Sequence, residues 1–150
     1  MDVLYNILVS SHSGLRWLLL LALLGSVLFS FSKGFILEQG GGTHGKALYL
    51  VTLILSHVQL IFGIILYFTS PKVIFSASSM KEKYYRFFLV EHVMLMVIAI
   101  ILITIGYSKS KSCLLQKTGQ KKIFVFYFIA LLLILFAIPW PWQPFGAGWF

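Results

Sequence analysis

Long apolar runs alternate with short polar ones four times along the chain, at about residues 12–32, 46–68, 84–107 and 123–138. Each of the first three has the ~20 residues needed to cross a hydrocarbon core of ~30 Å. The fourth reaches that length only by borrowing from its tryptophan-rich end. Lys33 stops the first run. Thr69-Ser70-Pro71 stops the second, because Pro71 cannot continue a helix without a clash and a lost hydrogen bond. Pro139-Trp140-Pro141-Trp142 breaks the fourth. The pattern predicts an all-α integral membrane protein, a four-transmembrane-helix antiparallel bundle forming one domain over residues 1–150.

The segments between the spans read less sharply. Residues 1–11 are apolar but short, either an extra turn on the first span or a brief interfacial segment. Gly40-Gly41-Gly42 reads as a flexible linker, since no anion-binding motif surrounds it. Residues 72–83 read as a loop with a short amphipathic turn. With no charged residue after Lys122, Trp140, Trp142 and Trp149 make residues 139–150 an interfacial tail. The motif x-His-x-x-Leu recurs at His12, His57 and His92, but adjacent spans run in opposite directions, so the likeness is chance.

Composition supports the membrane reading. Apolar residues make up 59% and charged residues 11%, against roughly 45–50% and 25% in a soluble domain. The net charge of +8 is no nucleic-acid signal, because the cations cluster at span ends, where they set topology and meet anionic headgroups. The single cysteine, Cys113, excludes an intrachain disulfide and a cysteine-based metal site. The N-terminus lacks a basic n-region and a small-residue cleavage site, so the first span is expected to be retained. Lys33, Lys46, Lys109, Lys111, Lys117, Lys121 and Lys122 lie on one side, and Arg16, Lys72, Lys81, Lys83 and Arg86 on the other. That bias of seven to five predicts both termini outside the cell, in the periplasm, with the first and third loops in the cytoplasm.

Ionisable residues within spans are costly and mark functional sites. His57 lies in the second span, within Ser56-His57-Val58-Gln59-Leu60, and His92 in the third, beside Glu91. They stand about eleven and eight residues from the outer ends of their spans, so their depths are roughly 16 and 12 Å at ~1.5 Å per residue. Two imidazoles at matching depth on neighbouring helices suit the axial ligation of one b-type haem, each second ring nitrogen then needing an acceptor. Ser56, Gln59 and Glu91 are polar neighbours, Glu91 as the partner of a ligand or as a proton carrier. Gly63 and Ala99 would leave room for a macrocycle. Arg86, and Arg16 four residues from His12 on the same helix face, would neutralise the propionates. His12 admits three roles: replacing one of the pair as axial ligand, bonding a propionate, or lining a quinone pocket. Met94 and Met96 read as packing, and His44 as a solvated loop residue. Against the haem reading stands a non-haem scaffold or assembly subunit whose histidines hydrogen-bond between helices or relay protons.

His12-Ser-Gly-Leu-Arg16-Trp17, His57, the stretch from Arg86 to His92 and Pro139-Trp-Pro-Trp142 together give a chain that resembles the small four-helix b-type cytochromes of bacteria, akin to the cytochrome b561 type. The resemblance implies haem b and electron transfer between a quinol pool and a partner, in the bacterial inner membrane and as part of the respiratory chain. Two-haem members of that type need four ligands. Here three histidines stand at suitable positions and the fourth span has none, so one haem is expected. Catalysis by the chain alone would extend at most to quinol or quinone redox chemistry, which makes it an electron carrier rather than a stand-alone enzyme.

Overall fold

The computed structural model describes residues 2–144 and 146. The protein is a membrane-spanning bundle of four helical spans. The first is α1, Asp2–Phe31, extended by a π-helical turn at Ser32–Ile36; the second is α2, Gly42–Thr69. The third is built from α3, Lys83–Arg86, a π-helical turn at Phe87–Glu91 and α4, His92–Ser110; the fourth is α5, Lys117–Ala137. All four are long and apolar enough to cross a membrane. Of the two alternatives for the segment before the first span, the structure shows the extension: residues 2–11 continue α1, by more than the one extra turn expected.

α1 packs on α2 and α5, and α4 packs on α5, while α2 and α4 make the slightest of the four contacts between neighbouring spans. The tight α4–α5 seam depends on Gly106, where a Cβ would stand 2.5 Å from that of Phe126. Leu23, Ile103, Ile123, Tyr127 and Ala130 are fully buried along this seam and its contact with α1. Their burial fits packing by close contact, which replaces the hydrophobic drive that is absent between helices in lipid.

The end of the bundle holding residues 37–41 and 111–116 is closed by a hydrogen-bonded polar network. The Tyr49 hydroxyl donates to Gln120 Oε1, Gln120 Nε2 donates to the carbonyl of Leu114 at 2.6 Å, and the Tyr127 hydroxyl donates to the carbonyl of Tyr49 at 3.1 Å. Ser26 and Thr52 share a hydroxyl bond at 2.8 Å. The glycine run is no loose linker. The Gly41 amide donates to Leu114 at 3.0 Å, and a Cβ on Gly40 would lie 1.9 Å from the Leu115 carbonyl oxygen. Only glycine lets the two loops lie backbone to backbone there.

At the opposite, open end the 70–82 connection carries a short 3-10 turn, Ala77–Met80, which the Ser76 side chain caps by accepting from the Ser78 amide. After α5 the chain turns back. Trp140 sits 6.3 Å from Trp17, stacks on Trp142 at 5.1 Å, and donates from its indole nitrogen to the carbonyl of Leu135 at 2.9 Å. Trp149 lies outside the described residues.

Candidate functional site

α5 stops short of its neighbours, and the site lies where it is missing. His92 meets the last residue of α5 through a hydrogen bond from its Nδ1 to the carbonyl of Ala137, 2.7 Å long. From that level the third span continues nine residues back to Lys83, about 14 Å at ~1.5 Å per residue. α2 runs ten residues beyond Gln59, which is tied to α1 through a bond from its Nε2 to the carbonyl of His12 at 2.9 Å. Three helices therefore overhang the fourth. They enclose a cavity of about 450 Å³, within the range of cofactor and ligand sites.

Its polar wall includes His12, Arg16, Gln59 and His92, and Lys72, with Tyr5, Ser13, Tyr67 and Ser70, also lines it. Apolar side chains make up most of the remainder, including Leu60, Ile64, Val93 and Met96. Among the described residues the lining contains two permanent cations and no carboxylate, so the cavity favours an anionic or amphipathic occupant. Ile64, Phe68 and Val97 line it and are also exposed on the bundle surface. The cavity thus opens sideways toward lipid, through the sparsely packed side between α2 and α4.

The two histidines are held differently. A carbonyl only accepts, so the bond to Ala137 fixes the proton of His92 on Nδ1 and leaves a lone pair on Nε2. Phe87 and Phe88 flank the ring, with centroids 5.9 and 6.5 Å away. Immediately before His92 the helix widens into the π turn at Phe87–Glu91, a local irregularity often found at functional sites. His12 lies against α2, where a Cβ on Gly63 would come to 3.4 Å from its Cε1. Its Nδ1 is buried and has no hydrogen-bond partner, and the same is true of Gln59 Oε1. His12, His92 and Arg16 lie within electrostatic reach of one another.

The structure does not bring His57 into the cavity that His92 lines, so it does not place the two expected partners together. His57 is exposed on the outside of α2 and does not line the cavity; its Nδ1 bonds the carbonyl of Leu53, one turn back, at 2.8 Å. Matching depth was the reason for pairing the two rings, but depth along a helix says nothing of the direction in which a side chain points. Arg86 is also displaced from its expected role. Its Nε binds Glu91 Oε1 at 2.8 Å, with both side chains about two-fifths exposed, and neither residue lines the cavity. Arg16 and Gly63 do reach the cavity, as does Met96, whereas Met94 is exposed and Ala99 is buried in the core.

By sequence alone Lys72 is only a loop cation. In the fold its Nζ lies 5.2 Å from the centre of the Phe88 ring. The signal available was its position directly after Pro71, where the chain leaves α2 and must turn toward its neighbours. Among the described residues no group of three or more His, Cys, Asp or Glu side chains is placed to hold a metal ion. A haem iron asks for only two side chains. Comparison with family models, with curated proteins and with solved structures finds no match to this chain.

Proposed function

We propose that this protein binds one haem b in the cavity between α1, α2 and α4 and carries electrons between the quinone pool, or a respiratory-chain partner, and that haem. The residues that would hold the haem iron in this reading are His92 and His12. The observation that carries it is the hydrogen bond from His92 Nδ1 to Ala137. That bond gives a ligating histidine its usual outer partner, a carbonyl that fixes the tautomer and makes the far nitrogen more basic. His12 enters the same cavity from α1, and Gly63 leaves space at its ring edge.

The residues present suit the group. Apolar walls match a porphyrin face, and Arg16 and Lys72 supply cations for two carboxylates where no acidic side chain competes. When bound, a haem would supply reversible one-electron chemistry at a potential set by its ligands and surroundings. The protein's own part is to hold two imidazoles, balance charge and limit water. The sideways opening suits exchange with a molecule dissolved in the bilayer. The bias of basic residues supports a bacterial inner-membrane location with both termini periplasmic.

The test is spectroscopic. Protein purified in detergent, with hemin added, is expected to give low-spin absorption bands that respond to reduction. A protein that remains colourless at stoichiometric hemin returns the histidines to helix–helix hydrogen bonding or proton relay within a scaffold.

A further inference from the structure

Gln59 holds a second, unused hydrogen-bonding group next to the cavity. Its Nε2 donates to the backbone carbonyl of His12 at 2.9 Å, so the amide is anchored beside that residue. Its Oε1 is sealed off and accepts nothing, and the Nδ1 of His12 is sealed off with no partner in hydrogen-bond geometry, although the His12 ring faces the main chain of Gln59. A buried acceptor and a buried ring nitrogen, each unmatched, cost about 1–3 kcal/mol apiece. Neither atom is open to the cavity, so a molecule in the cavity does not satisfy them. They are complementary to each other: an imidazole nitrogen that carries a proton donates, and an amide oxygen accepts.

We infer that Gln59 is the positioning residue for His12: its Oε1 accepts a proton from His12 Nδ1, holding the ring in the tautomer that presents Nε2 to the cavity. Adjustment of the imidazole and amide torsions closes this bond when Nε2 engages a metal. Each histidine then has an acceptor on a different helix. For His92 it is the end of α5, and for His12 it is a side chain of α2. The inference rests on the haem reading above, in which His12 Nε2 is bound to iron.

Full-length protein reconstituted with hemin in detergent provides the test, read as midpoint potential and hemin affinity. An acceptor on Nδ1 makes the ligand more basic and favours ferric iron, the more so when the acceptor is charged. Gln59→Met removes the acceptor and is expected to raise the potential and weaken hemin binding roughly 10- to 100-fold. Gln59→Glu keeps an acceptor and is expected to retain hemin and lower the potential. A residue that merely ties α2 to α1 through its Nε2 loses that tie in both variants, so shifts in the same direction, or none, overturn the assignment. Should Gln59→Met fail to insert, Gln59→Leu replaces it in the same comparison. A wild-type protein that binds no hemin overturns the haem reading and this assignment together. A wild type with low-spin bands and same-direction shifts overturns the assignment alone.

Discussion

His92 and Ala137 are joined by a hydrogen bond of 2.7 Å from a side chain in the third span to the last carbonyl of the fourth helix. That carbonyl is one of the C-terminal acceptors that a helix cannot satisfy internally. Its partner is the side chain whose orientation the candidate site depends on. One contact therefore caps α5 and aims His92.

Loss of either cavity histidine is expected to remove the low-spin spectrum. His92→Ala and His12→Ala should each leave a five-coordinate haem or none, whereas His57→Ala and His44→Ala should leave the bands intact. Reduced-minus-oxidised spectra of the four variants at equal protein concentration check this. Bands lost in His57→Ala and kept in His12→Ala would restore the pairing that depth alone suggested.

Gly63 offers a graded test of the space beside His12. A methyl group there meets the ring at 3.4 Å, an ordinary contact, so Gly63→Ala should retain hemin. Gly63→Leu extends the side chain into the volume of the ring and should reduce hemin affinity at least tenfold while the helices remain folded. Hemin titration alongside circular dichroism separates the two effects.

Arg16 and Arg86 should differ in their effect on potential. Reduction adds a negative charge, which a nearby cation stabilises, so Arg16→Ala is expected to lower the midpoint potential. For an interaction of about 1–2 kcal/mol at an effective dielectric near 20, the fall is roughly 40–80 mV for one electron. Arg86 is held by Glu91 outside the cavity lining, and Arg86→Ala should leave the potential near its starting value. Equal shifts in the two variants would argue that neither cation is close to the redox centre.

The closed end should govern stability without touching the site. Tyr49→Phe removes the donor to Gln120 and leaves a buried amide oxygen short of a partner. The expected loss is about 0.5–2 kcal/mol, the scale of side-chain hydrogen bonds between membrane helices. Combining it with Gln120→Leu in a double-mutant cycle of detergent unfolding should give non-additive losses. The absorption spectrum should not change.

Topology provides an independent check. A reporter active only in the periplasm should be active when fused after Phe150 and silent when inserted within residues 111–116. The reverse pattern would turn the open end of the bundle toward the cytoplasm.

The spans were legible because apolar length is a one-dimensional signal, and Lys33 and Pro71 mark two of their stops plainly. The site was legible in part. His92 and Arg16 stand out as ionisable residues in apolar runs, and both line the cavity. The facing of His57 was legible but is easily missed: Gly45, Tyr49, Thr52, Ser56 and Gln59 recur at intervals of three and four and form the buried face of α2, and His57 falls off that stripe. The cavity was hidden for a different reason. It comes from α5 ending beside His92 while three neighbours continue, a relation between lengths and levels that no single segment contains. Pro139 was read as the start of an interfacial tail, and in the fold it also lines the space the helix leaves.

The early end of α5 also decides how the site would sense voltage. His92 is six residues, about 9 Å, inward of Arg86, against a hydrocarbon thickness of ~30 Å. Beneath it the bundle is solid, with Leu23, Ile103, Tyr127 and Ala130 wholly enclosed. A charge arriving from the near face thus travels about a third of the electrical distance. That corresponds to about 0.8 kcal/mol per 100 mV, where a complete crossing is worth about 2.3 kcal/mol. A charge carrier seated there would be served from one face and would couple only weakly to the membrane potential.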